Sequence, residues 1–396
     1  MCRTCNAMSR RDFLRLSALL SAGAALPLVM QQQARAAAEP DAPVRIGYLP
    51  ITDASPLLVA HARGLFSQSG LEAERPVMFR SWSQLIEAFI AGKVNVIHML
   101  SPVTVWARFQ ARIPAKVVAW NHTNGSALTV APQIARLADL AGKTVAVPFW
   151  YSIHNVVLQQ MLRQAGLQAT TGKPGDRQVQ LIVMPPSDMV PALAAGQIQG
   201  FIVAEPFNAL AEARKVGRVL RFTGDVWQSH ACCVVFMHES DLAQRPAWSQ
   251  NVVNAVVDAQ KWIRHNRAET AALLSRSDDR RYTPHEREVL QQVLDPAADN
   301  LARWRADGAI SHPEWRQQRI DFQPYPYEDY FLKLIEQLKT TVMEGNADFL
   351  AELDPQAATA QLVDDRFVRN SIARAGGQSA FGLTDGVFAR KEVIAP

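Results

Sequence analysis

Patterns that would commit this chain to a chemistry are mostly missing from its 396 residues. No HExxH or HxH sets two histidines at metal-ligand spacing. Neither GxxxxGK[ST] nor GxGxxG follows a strand, so there is no loop to cradle a nucleotide phosphate. No GxSxG elbow presents a serine nucleophile. A Ser/His/Asp triad could be assembled on paper, as in any chain of this size. The pattern therefore favours binding over catalysis. Cysteine is scarce, with four residues. Cys2 and Cys5 form a CxxC in the N-terminal head, and no cysteine follows the apolar run in a lipid-attachment setting. Cys232 and Cys233 are adjacent, where only a strained disulfide could form. They read as two small residues entering a buried strand.

Excess charge is missing as well. The formal charge is +4, but residues 1–38 carry five arginines against Asp12, which leaves 36 basic and 36 acidic residues beyond them. A neutral body offers no electrostatic footprint for nucleic acid. The head has a different logic. Arg10 and Arg11 precede an apolar run from Leu14 to Met30, which ends near "ARAAAEP". A charged, an apolar and a small-residue region in that order describe an export signal. The arginine pair resembles the twin-arginine type, handled by its own export machinery. Cleavage is expected near Ala38. The run contains Pro27 and is shorter than the ~20 residues that span a bilayer. The mature protein is expected to be soluble, periplasmic and monomeric.

Beyond the head, strands and helices alternate. "VRIGYLP", "VNVIHML", "KTVAVPF", "VQLIVMPP" and "IQGFIVAEP" read as strands. "PLLVAHARGLF", "SQLIEAFIAGK", "HNVVLQQMLRQAGL" and "SDMVPALAAGQ" read as helices. This alternation predicts parallel sheets flanked by helices. "LIEAFIAGKVNVIHMLSP" (85–102) lies over "MVPALAAGQIQGFIVAEP" (189–206) without a gap, matching Ala88, Ala91, Gly92 and Pro102 to Ala192, Ala195, Gly196 and Pro206. The shared order of helix, glycine cap, strand and proline predicts two similar α/β lobes. From about 250 to 345 the apolar spacing is helical. Trp248, Trp262, Trp304 and Trp315 there are expected to pack. The tail after about 370, rich in Gly, Ala and Ser, is expected to be loosely ordered.

Ligands of open parallel sheets sit beyond the carboxyl ends of the strands. The residues following each strand are therefore the candidate site: Thr52, Asp53 and Ser55; Trp82; His98 and Ser101; Asn124 and Ser126; Trp150, Tyr151, Ser152 and His154; Glu205; His230 and Cys233. Each has a plainer role open to it. Asp53 and Ser55 could cap a helix, His98 could be a core histidine, Trp82 a plug, and Glu205–Pro206 a turn. Their recurrence at one topological point in both lobes favours a binding site. Asp53 and Glu205 could face a hard cation, but no clustered set of acids accompanies them. No metal ion or cofactor is expected.

"RIGYLPITDASPLLVAHARGLF", "SWSQLIEAFIAGKVNVIHMLSP", "NGSALTV", "LAGKTVAVPFWYSIHNVVLQQMLRQAGL" and "IQGFIVAEPFNA" resemble the periplasmic substrate-binding proteins of nitrate/sulfonate/taurine-type ABC transporters, the nitrate- and bicarbonate-binding subgroup above all. The resemblance implies a two-lobed periplasmic-binding-protein fold of type II with a helical C-terminal extension. One lobe would comprise 44–130 and 236–370, the other 131–235, with the tail at 371–396. The lobes would close on a small anion or small organic solute and deliver it to an ABC permease and its cytoplasmic ATPase. It implies ligand contacts for Trp82 and His154. Two positions depart from the nitrate binders. Asn124–Gly125–Ser126 stands where they tend to read Asn-Gly-Gln, and Ala231–Cys232–Cys233 stands where they carry a lysine after the histidine. Losing a cation and an amide weakens the case for nitrate and points to a larger or less charged organic solute. Two further functions share the fold: a periplasmic ligand sensor, and an enzyme resembling thiamin-pyrimidine synthase. The export signal argues against the enzyme.

Overall fold

The computed structural model describes residues 42–316, 318–384, 386 and 388–395. The expected export signal and its expected cleavage point lie outside the described residues. The strands are β1 (Ile46–Tyr48), β2 (Val77–Met78), β3 (Val96–Leu100), β4 (Ala115–Trp120), β5 (Thr123–Asn124), β6 (Ser126–Val130), β7 (Thr144–Val147), β8 (Gln168–Thr170), β9 (Gln178–Val183), β10 (Gly200–Ala204), β11 (Arg218–Phe222), β12 (Cys233–His238) and β13 (Ile320–Asp321). One sheet runs β2-β1-β3-β12-β4 and the other β11-β6-β10-β7-β9-β8. The internal echo is realised: Trp82–Ile90 with β3 corresponds, without a gap, to Pro186–Ala194 with β10. Gly92 and Gly196 both hold the left-handed conformation (φ 67° and 71°) that ends the helix of each unit.

Each sheet is mostly parallel with one antiparallel intruder, and the intruder is the strand arriving from the other lobe. β6 runs antiparallel to β10 and β11, with Ser126 opposite Ala204. β12 runs antiparallel to β3 and β4, with Cys233 opposite Leu100. The reason is geometric. A chain leaving one lobe enters the other at the cleft, where the carboxyl ends of the parallel strands lie, and can only run back against them. The lobe boundary expected at 130 therefore falls at the end of β6, after a strand that already belongs to the second sheet, and the one expected at 235 falls inside β12. Residues 126–130 pair in the second sheet and 233–235 in the first. "SALTV" and "CVV" are small or apolar residues that suit a buried strand in either sheet, so their sequence carries no sign of the switch. Between the sheets, Thr123 bridges Ala231 and β5 pairs with β13, so the two crossings and the helical extension meet at one hinge.

The extension is helical as expected. Pro246–His265 packs against Ser55–Ala62 and Arg366–Arg374. Trp304 is buried, Trp248 and Trp262 pack at the core edge, and Trp315 stacks on His312. The tail departs from expectation. Gln228 N–H donates to the Val393 carbonyl (2.9 Å), and Ala395 N–H to that of Val226 (2.7 Å). Trp227 Nε1 donates to Glu392 Oε2 (2.6 Å), and Arg390 to the Ser229 carbonyl (3.2 Å). The tail is a strap over the second crossing. Its composition signals weak local structure, whereas its order comes from long-range partners. Glu392→Ala would leave the buried Trp227 N–H without an acceptor and Arg390 without its ion pair. A loss of about 1–3 kcal/mol is expected, seen as a lower urea midpoint at unchanged slope.

Candidate functional site

The lobes meet first through β1 and β10. Thr52 donates its N–H (2.9 Å) and hydroxyl (3.2 Å) to the Glu205 carbonyl. The Glu205 carboxylate accepts from Arg319 Nε (2.7 Å) and Ala209 N–H (3.2 Å). Glu205 and Arg319 are both fully enclosed, with side chains 0% and 1% exposed. Burial pushes the Glu205 carboxyl above the usual range, and Arg319 draws it down without offsetting that. Arg319 precedes β13, so the extension closes the seam from a third side. It also lies 4.6 Å from the Trp304 ring. A separate cavity of about 180 Å³ shares Asn124 and Arg319 with this seam.

A row of buried polar groups follows. Ser126 Oγ pairs with His154 Nε2 (2.9 Å), and Cys232 Sγ lies 3.7 Å from the same nitrogen. His230 Nε2 pairs with the Thr223 hydroxyl (2.8 Å). His98 Nε2 accepts from Leu49 N–H (2.9 Å), and its ring lies 5.3 Å from that of Trp82. Burial lowers His98 to about 3 and His230 to about 4, so both are neutral at pH 7. Trp82 Nε1, His98 Nδ1, both amide atoms of Asn121, Asn124 Oδ1, His154 Nδ1 and His230 Nδ1 are buried without a partner. Buried polar atoms are nearly always hydrogen-bonded. A concentration of orphans along one seam is what an enclosed polar solute would satisfy.

Next to this row, Asp53, His122, Cys232 and Cys233 are all buried and place one donor atom each within 4.8 Å of one another. Asp53 Oδ2 lies 2.8 Å from His122 Nε2. Burial lifts Asp53 to about 6 and the nearby Cys232 adds to this, while His122 pulls it down. Burial would lower His122, but the Asp53 carboxylate overrides it and lifts the imidazole to about 10. The cysteines are free. The sequence has no metal-ligand spacing, but the fold brings these four possible donors together. The four donors come from positions 53, 122, 232 and 233, and only folding reveals their spacing.

Several sequence candidates have other employment. Ser55 donates to the Thr52 carbonyl (2.5 Å) within its own turn. Ser101 is paired with the Tyr330 hydroxyl (2.7 Å). Ser152 caps the helix Ile153–Gln164 by accepting from Asn155 N–H and donates to the Phe149 carbonyl (2.7 Å). Tyr151 does not join the polar row. It packs beside Trp106 and Phe349 and bonds the Asn346 carbonyl. Trp150 stays partly exposed, and its carbonyl accepts from Asn155. Of the loop "VPFWYSIHN", only His154 joins the row. The rest is a packed corner. Asn124 and Gly125 turn the chain between β5 and β6 with φ of 60° and 78°, values that Asn and Gly tolerate. A Cβ on Gly125 would come within 3.0 Å of His122 Nδ1. Thr52, Asp53, Trp82, His98, Asn124, Ser126, His154, Glu205, His230 and Cys233 all border the seam. Asn121 and His122, which follow the same strand as Asn124 and Ser126, belong with them, and so do Cys232 and Arg319, which were not selected from sequence. The first two stand in a loop already marked by its neighbours, but Arg319 sits in "RQQRIDF", which carries no signal.

The family model described as the NMT1-like family matches residues 37–275. The nitrate/nitrite binding protein NrtA of Nostoc sp. is 25% identical over 318 residues, 72% of this chain and 68% of that protein. The nitrate import ATP-binding protein NrtC of Synechocystis is 28% identical over 264 residues, 63% of this chain but only 37% of that protein. Among solved structures, the periplasmic nitrate-binding protein NrtA from Synechocystis superposes with a TM-score of 0.70 at 18% identity, covering 88% of this chain and 92% of that one. This likeness establishes a shared two-lobed fold. No helix among the described residues is long and apolar enough to cross a membrane.

Proposed function

The chain belongs to the NMT1-like family, and from that premise we propose that it is an extracytoplasmic solute-binding receptor of an ABC importer. It encloses a small anion or small organic solute between its lobes and presents it to a permease driven by a cytoplasmic ATPase. The observation that carries this reading is the row of partnerless polar atoms contributed by both lobes and both crossings. The relatives named for nitrate binding and nitrate import support the class of system.

The seam favours an organic solute over nitrate itself. Its unpaired polar atoms include an indole N–H, amide atoms, and the imidazoles of His98 and His230, which burial keeps uncharged. The cationic groups beside it, His122 and Arg319, face Asp53 and Glu205. Thermal unfolding should be followed with nitrate, nitrite, bicarbonate, taurine and alkylsulfonates in turn. Taurine, an organic zwitterion without net charge, at a hundred times its Kd is expected to add about 2.7 kcal/mol of stability. For a chain of this size that is a shift of a few degrees. A large shift with nitrate alone overturns the organic assignment, and no shift with any of the five overturns the receptor reading for this solute class.

A further inference from the structure

We propose that Asp53, His122, Cys232 and Cys233 form a buried site for a thiophilic divalent cation of the zinc class, set where the first loop of one lobe meets both interlobe crossings. The donor set decides the class of metal. Two thiols, an imidazole and a carboxylate make four protein ligands, the number and type that tetrahedral zinc takes. Calcium and magnesium require oxygen-rich shells that this cluster does not have. The mutual spacing of the donor atoms, all within 4.8 Å, encloses one ion of that size.

Three local features fit a cation better than a self-contained polar knot. Neither Asp53 oxygen receives a well-aligned hydrogen bond, although the side chain is fully buried. His122 Nε2 faces a donor and an acceptor at once: the Cys233 N–H at 3.3 Å and Asp53 Oδ2 at 2.8 Å. A protonated nitrogen would satisfy Asp53 and oppose the amide, and an unprotonated one would do the reverse. A cation drawing on the imidazole lone pair and the carboxylate removes the conflict with Asp53. Finally, successive side chains of a strand point to opposite faces, yet both thiols join one cluster. This is possible because Cys232 occupies a bend before β12 begins.

The position gives the ion a mechanical role. Asp53 follows Thr52, which clasps the Glu205 carbonyl of the other lobe. His122 lies on the first crossing and the cysteines on the second. A bound ion would tie the loop of one lobe to both hinge segments and so favour the arrangement seen here. Binding displaces the thiol protons, so affinity rises with pH. Two thiolates, a carboxylate and a divalent cation leave one net negative charge. The ion therefore braces the hinge and does not recruit an anion. This inference does not rest on the transport reading.

The test uses the mature chain, reduced and stripped of metal by chelation, then titrated with cobalt(II) and competed with zinc(II). One equivalent of cobalt is expected to give thiolate charge-transfer absorption with tetrahedral visible bands, and zinc should abolish both. Asp53→Asn is expected to weaken binding by roughly tenfold or more, the scale seen even for outer partners of a metal. The Cys232→Ser/Cys233→Ser double variant should lose the charge-transfer band and any thermal stabilisation by zinc. If that variant does not fold, His122→Gln is read in its place, with a loss of affinity expected. No thiolate–cobalt band in the native chain overturns the site. So does cobalt binding of unchanged strength in the double variant or, where it serves as the substitute, in His122→Gln.

Discussion

Arg319→Ala is expected to lower stability by about 3–5 kcal/mol, the scale for stranding one member of a buried ion pair. Glu205 is fully enclosed, and Arg319 is its charge partner at 2.7 Å. Its other bonds to the seam, Ala209 N–H on the carboxylate and Thr52 on the carbonyl, do not replace a cation. The variant also loses the guanidinium packed beside Trp304 and Phe222. The pH dependence identifies the cause. The Glu205 carboxyl is already held above its ordinary range by burial, and removal of Arg319 would raise it further. A carboxyl raised in the folded state stabilises the fold at low pH and loses that contribution as pH rises through the folded value. The deficit of Arg319→Ala should therefore be smaller at pH 5 than at pH 8. Urea titrations at the two pH values measure this. A deficit independent of pH would mean that packing, and not the stranded charge, accounts for the loss. Arg319→Lys keeps the charge but not the planar group, and is expected to recover part of the stability.

His154→Ala is expected to weaken solute binding by about ten- to a hundredfold while the chain still unfolds cooperatively. That range corresponds to about 1.5–3 kcal/mol, the worth of a hydrogen bond to a charged group. His154 is buried, held at Nε2 by Ser126, and has no partner at Nδ1. One nitrogen is thus fixed while the other is available to a solute. Calorimetry with the solute selected by thermal shift measures the effect. Wild-type affinity in the variant would reduce the whole 147–155 loop to a packed corner, as Trp150, Tyr151 and Ser152 already are. The Ser126 hydroxyl left behind should cost some stability, so a modest fall in the unfolding midpoint accompanies the loss of affinity.

Much of the candidate site was legible because of where it lies. Residues after parallel strands were selected by topology, and Thr52, Asp53, Trp82, His98, Ser126, His154, Glu205 and His230 do border one seam. Ser55, Ser101 and Ser152 satisfy the same positional rule and are bonded elsewhere. A hydroxyl at a helix start serves a cap as readily as a ligand, and sequence does not separate the two. Arg319 and Cys232 were missed for a different reason: each gains its role from a partner remote in sequence, Arg319 from Glu205 and Cys232 from Asp53 and His122.

By itself, the sequence determined the repeating helix–glycine–strand unit, the two lobes and the strand ends where a ligand would sit. Apolar periodicity and left-handed glycine caps are local properties, written within a dozen or so residues. Only the tertiary structure decided that β6 and β12 run against their sheets, that the tail straps the hinge, and that four donors from three distant segments converge. Those outcomes depend on which surfaces meet after the chain has crossed twice between lobes. Local propensity does not encode such meetings. Burial and partnerless polar groups do, and they exist only once the lobes have packed.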